Sequence, residues 1–204
     1  CLLNLLIKKV RLISISAIIT GQLIGLNLFS NTSIFLVVLI SALSIILKYF
    51  MQIKWRQNFN PAVLGLLLGA VIFKTNPTWW GVSWNSWFWL FLLLTQGYVL
   101  RRMKRIWQPL SFLIAYALYL YMKNPGNIFP LLMDGSLFLF AFVMLPEPQT
   151  SPTKTYWTYL WGPLVVINIL LITFLPDFNV DSLLSSLILA NGESLLLRKA
   201  LHEI

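Results

Sequence analysis

A single carboxylate stands between two prolines in "LPEPQTSPT", Leu145 to Thr153, and the hydroxyls of Thr150 and Ser151 follow it three and four residues on. Glu147 there has the chemistry to hold a cation or exchange a proton. A second polar stretch, "NFNPAVLGLLL" from Asn58 to Leu68, puts two carboxamides around a proline. Pro61 lacks an N–H and suits the first turn of a helix. Asn58 and Asn60 can accept from the amides that a helix start leaves unpaired. Both stretches have the means to bind a ligand: Asn58, Asn60 and Pro61 in one, Glu147, Thr150 and Ser151 in the other.

Three more polar groups interrupt apolar runs, where such residues are costly and default to functional candidates. Asp134 is expected about two turns into the run Ile128 to Leu145. Glu193, beside Asn191, falls in the last apolar run, with Arg198 near enough to pair with it. Gln96 interrupts Trp84 to Leu100. These three are candidates for an ion pathway, and for Asp134 pairing or exposure at the outer surface competes with that role. Metal chemistry lacks material, since His202 is the only histidine and structural or catalytic zinc needs three or four ligands. No nucleophile, base and orienter set is evident, so autonomous catalysis is not expected.

The elements that must position these groups are read from composition. Hydrophobic residues make up 58% and charged residues 10% of the chain, against about half and a quarter in soluble domains. An all-α, integral membrane protein of one domain, residues 1–204, is expected. Val10 to Phe29, Ile34 to Met51, Ile128 to Leu145 and Tyr156 to Leu175 are each near the roughly 20 residues that a spanning helix needs. Trp84 to Leu100, Ile106 to Met122 and Leu183 to Leu197 are shorter or interrupted, and Pro61 to Phe73 is the shortest. Charge decides how many cross. With eight crossings and both termini inside, every Lys and Arg except Lys74 and Lys123 lies on the cytoplasmic side, as basic loops prefer. The net charge of +9 is thereby accounted for as helix-orienting clusters, and nucleic acid is not expected as a partner. No signal peptide is evident. The lone Cys1 allows no internal disulfide; it is read as following a removed initiator Met or as a lipidated cysteine.

A helix starting at Pro61 is too short to cross comfortably, and the proline-rich segment Phe142 to Trp157 has backbone that cannot face lipid. That segment reads as a cytoplasmic loop or as an extended strand entering the membrane opposite the helix start, because Pro146 and Pro148 favour extended predecessors. Gly65 and Gly69, four apart, offer a small face for close packing. The five tryptophans from Trp79 to Trp89 read as interfacial anchors or as an aromatic wall for a ring ligand such as a flavin, a pigment or a quinone.

"NFNPAVLGLLL", "GSLFLFAFVMLPEPQTSPT" at Gly135 to Thr153, and the intervening "WGVSW", "YVLRRMKRIWQP" and "IAYAL" resemble the membrane subunit family that includes RnfD and NqrB, with short cyanobacterial-type relatives most alike. The resemblance covers about Ile34 to Leu175. It implies a helical bundle related to urea channels, with two pseudo-symmetric halves, in which the Pro61 half-helix and the Glu147 segment converge near the midplane. The chain departs from the family where members read Thr-Asp-Pro and it reads Pro-Glu-Pro. It also lacks the Ser-Gly-Ala-Thr motif whose threonine carries flavin in the family, and "KTNPTWWGVSWNSW" stands after the half-helix instead. Covalent flavin is therefore not expected; FMN or riboflavin would be held noncovalently.

The function expected is that of an RnfD/NqrB-like subunit of a larger electron-transport or bioenergetic complex, binding a flavin or passing an ion through a midplane cavity. A structural or accessory membrane subunit and a channel for a small neutral solute are the rivals. Its partners would be the lipid bilayer and other membrane subunits, in a bacterial cytoplasmic or thylakoid membrane.

Overall fold

A computed structural model describes residues 15–28, 32–53, 56–83, 87–152, 154–175 and 180–200. Cys1 and His202 lie outside them. Among the described residues the architecture is helical apart from one two-stranded ladder, with Gln52 opposite Gln57 and Ile53 opposite Arg56, and an isolated bridge between Leu28 and Pro77. In chain order the helices are α1 (Ile15–Asn27), α2 (Ile34–Phe50), α3 (Pro61–Phe73), the short α4 (Trp80–Ser83), α5 (Phe88–Arg102), α6 (Trp107–Lys123), α7 (Ile128–Leu132), α8 (Gly135–Leu139) running on as a π-helix over Phe140–Met144, α9 (Thr155–Thr173) and α10 (Ser182–Ala200). α1, α2 and α3 pack together. The π segment packs on α5 and α6, α9 lies along α6 and α10, and α10 returns to α3.

α3 begins where the local chemistry requires. Asn60 caps it, its side-chain oxygen accepting from the amides of Ala62 at 3.0 Å and Val63 at 3.2 Å, with Pro61 in the first turn. A Cβ on Gly65 would sit 1.6 Å from the Ser44 hydroxyl, so α2 and α3 approach as closely as they do because glycine is there. α3 ends at Lys74, in left-handed conformation with φ 54°.

Two expectations are corrected here. The run Ile128 to Leu145 is not one helix: it breaks at Met133 and Asp134, where Asp134 caps α8 by accepting from the Ser136 amide and hydroxyl. A short carboxylate favours a helix N-cap over a helix interior, which ends the helical run that hydropathy alone would extend. Leu145, before Pro146, keeps helical dihedrals (φ −63°, ψ −47°) instead of extended ones. Its amide still reaches Phe140 O at 2.9 Å, closing the last wide turn before the proline ends the helix.

Among the described residues one helix, spanning Tyr156–Thr173 with mean hydropathy 1.4, is long and apolar enough to cross a membrane by length and composition. Ile34–Phe50, Pro61–Phe73, Gly135–Met144 and Ser182–Leu196 are apolar but shorter. At 1.5 Å per residue α3 spans about 20 Å. α9 contains Pro163 directly after Gly162; that glycine permits the close approach of α9 to α6, since a Cβ there would meet the Phe112 backbone at 2.1 Å.

Candidate functional site

A cavity of about 380 Å³ lies where α1, the start of α3, α5 and the end of the π-helix meet. Its polar lining comes from Ser16 and Thr20 on α1, Asn60 at the cap of α3, Gln96 on α5 and Glu147 in the turn after the π-helix; Pro61, Leu100, Met103, Phe142, Pro146 and Pro148 supply apolar wall. The carbonyl end of one broken helix thus faces the amide end of another, and the Asn60 amide nitrogen lies 3.5 Å from Met144 O.

Glu147 is held by its own turn. Its carbonyl accepts from the amides of Thr150 (3.3 Å) and Ser151 (3.0 Å) and from the Ser151 hydroxyl (2.7 Å). The Thr150 hydroxyl donates to its carboxylate at 3.3 Å. Arg105 clamps the outside of the turn, donating to Ser151 Oγ and to Pro148 O. Trp161 Nε1 holds Leu145 O at 3.1 Å. Burial pushes the Glu147 carboxyl up to about 7, against the opposing pull of the Thr150 hydroxyl and of Lys48. Lys48 reaches into the same region, donating to Ser16 Oγ.

The residues singled out from sequence divide. Asn60, Pro61, Glu147 and Gln96 share the cavity. Thr150 and Ser151 are buried behind it, shaping the Glu147 turn. Asn58 is turned away, its amide donating to Met51 O at 2.6 Å and tying down the chain before α3. Asp134 caps α8. Glu193 accepts from the buried Asn168 amide at 3.0 Å and lines a separate apolar groove with Trp157, Leu160, Pro163 and Leu196; the Arg198 side chain expected beside it lies outside the described residues. Gln96, Asp134 and Glu193 therefore occupy three different places. None of the described tryptophans lines the Asn60 and Glu147 cavity: Trp79 is buried, donating to Asp181 at 2.8 Å, Trp87 and Trp89 line a separate groove, and Trp84 lies outside the described residues.

Sequence reasoning missed Ser16, Thr20, Lys48 and Arg105. Ser16 and Thr20 are four apart on one helix face, which marks a polar stripe; nothing local marks Lys48 or Arg105 as more than orienting charge.

No protein-family model matches the sequence, and among curated proteins and solved structures none matches it.

Proposed function

We propose that this chain is a polytopic helical membrane protein of about eight segments with both termini inside, working as an RnfD/NqrB-like subunit of a larger bioenergetic complex, and that the Asn60 and Glu147 cavity is where it passes an ion. The observation that carries the membrane part is the outer surface. Ile34, Phe50, Met122 and Phe174 are each about four-fifths exposed or more, and Phe35, Val71, Leu94, Ile114, Phe129 and Leu171 are more than half exposed. Soluble monomers rarely leave apolar patches beyond a few hundred Å² uncovered; a bilayer covers them. The short α3 fits the same reading, since its first nine residues are mostly buried against α1, α2 and α10 and its polar start opens on a cavity. The family part rests on the motifs alone.

Ion passage is favoured over flavin by the chemistry of the wall. The first amides of α3 are already taken by the Asn60 side chain, so the helix start offers a flavin phosphate no free amide, and the Glu147 carboxyl shares the space. Thr20, Gln96 and Glu147 offer oxygens suited to a cation or a proton.

Single cysteines at Arg102 and Gln149 should be shielded from an impermeant outside reagent, and those at Asn76 and Asn127 should react; shielding at both Asn76 and Asn127 would overturn the eight-crossing topology. The purified complex should contain other membrane subunits and show no fluorescent flavin on this chain after denaturing electrophoresis. Replacing Glu147 by Gln should abolish ion movement in vesicles holding the complex while leaving its composition intact. Unchanged movement would make the cavity structural. Passage of a neutral solute by this chain alone would favour a channel.

A further inference from the structure

On the face formed by the α5–α6 turn and the first turns of α9 lies a second polar groove of about 600 Å³. Arg101, Lys104 and Arg105 line one side, and Thr158 and Tyr159 the other. We infer that this groove binds the phosphate headgroup of an anionic membrane phospholipid.

Four features of the groove carry this. First, its charge is of one sign, because no carboxylate lines it. Second, the heads of Arg101 and Lys104 are exposed and have no side-chain hydrogen bond or ion pair among the described residues, while Arg105 is buried and spends its guanidinium on the Glu147 turn. Two cations are thus left for a ligand. Third, the connection between α5 and α6 is short and brings both to the groove: Lys104 takes the left-handed conformation, φ 57°, and Arg101 and Lys104 line the same space as Ile106 and Trp107. Fourth, the groove has an apolar and aromatic side as well. Met103 and Ile106 line it, and Trp107 packs on Tyr159 with ring centroids 5.3 Å apart, both rings nearly half exposed. Exposed apolar surface continues from Tyr159 to Leu160 along α9. A small free anion uses only the cations; a lipid uses cations, interfacial rings and the apolar flank together.

This inference rests on the membrane reading above, and the test separates the two. The full chain in detergent is given equal amounts of phosphatidylglycerol and phosphatidylcholine and examined by native mass spectrometry. Phosphatidylglycerol should be retained preferentially. The preference should fall about fivefold for each of Arg101→Gln and Lys104→Gln, and survive Arg101→Lys with Lys104→Arg, with thermal unfolding unchanged throughout. Equal retention of the two lipids, or a preference untouched by both neutralising substitutions, overturns it. So does complete displacement by millimolar inorganic phosphate, which would mean that the groove takes the free anion. If the chain remains in solution without detergent and does not float with vesicles, the membrane reading falls and this inference with it; if it inserts without discriminating lipids, only this inference fails.

Discussion

α3 and the π-containing segment after Asp134 are both short helices that end or begin at the Glu147 cavity, yet they are fixed by different means. α3 starts on a carboxamide cap and a proline and is locked by glycine against a side chain, the Ser44 hydroxyl. The α8 segment starts on a carboxylate cap, is locked by Gly135 against backbone, the Val82 carbonyl, and widens to a π-turn before its proline. The Ser44 hydroxyl can rotate away from an intruding methyl group, leaving its Cβ at 2.9 Å to be accommodated by a small shift, whereas a backbone carbonyl moves only with its chain. The second element should therefore be the less forgiving of the two.

Between these two elements the largest effect is expected from Gly135→Ala. Its Cβ would lie 2.2 Å from Val82 O, so stability should fall by about 3 kcal/mol or more, the upper range for overpacking. Gly65→Ala, facing the Ser44 hydroxyl, should cost less; equal losses in thermal unfolding would remove the contrast. Next comes the pair of caps. Asn60→Ala leaves the buried amides of Ala62 and Val63 without their acceptor and should cost about 2 kcal/mol, the top of the range for a lost cap, whereas Asp134→Ala, at a half-buried cap, should cost about 1 kcal/mol. The order of those losses is the test.

Glu147, placed where the two elements meet, sharpens the comparison through pH. Its folded carboxyl titrates near 7, above its unfolded value, so the folded state binds the proton more tightly. Its contribution to stability is then fully present below the unfolded value and is lost as pH rises toward and through 7. Glu147→Gln should flatten that part of the profile in chemical denaturation measured from pH 4 to 8, and a profile identical to that of the unsubstituted protein would show that the carboxyl is solvated. The smallest effect is expected at Gly97, inside α5, where a Cβ would meet only Phe142 at 3.9 Å. Gly97→Ala should raise stability by up to about 1 kcal/mol through helix propensity.

The same contrast shows what is legible in sequence. The start of α3 can be read because proline and asparagine act on their own neighbours, within a turn. The break at Asp134 depends on one residue amid apolar ones, so a hydropathy window averages it away, although Asp-Gly-Ser is itself a capping signal. The helix boundaries elsewhere follow the apolar runs closely, as α2, α6 and α9 do. What local reasoning does not reach is the pairing of distant groups: Lys48 with Ser16, Arg105 with the Glu147 turn, Trp79 with Asp181, Trp161 with Leu145 O. In sequence Lys48 and Arg105 read as helix-orienting charge and Trp79 as an anchor or an aromatic wall, and only the packing of helices far apart in sequence tells which side chains bear on the cavity.

The exposed apolar envelope has a consequence for how this chain selects one arrangement of its helices. If a bilayer covers that envelope, as proposed, an outward leucine and an inward one are solvated almost alike, so hydrophobicity stops discriminating between alternative packings. The choice then falls to the few residues whose size or polarity differs from the rest: the glycines at 65, 135 and 162, the caps at 60 and 134, the indoles that reach a carboxylate or carbonyl. On that view the outer positions of α2, α5 and α9 form an interchangeable alphabet in which Leu, Ile, Val and Phe can be permuted freely, and the fold is spelled by a small minority of the letters.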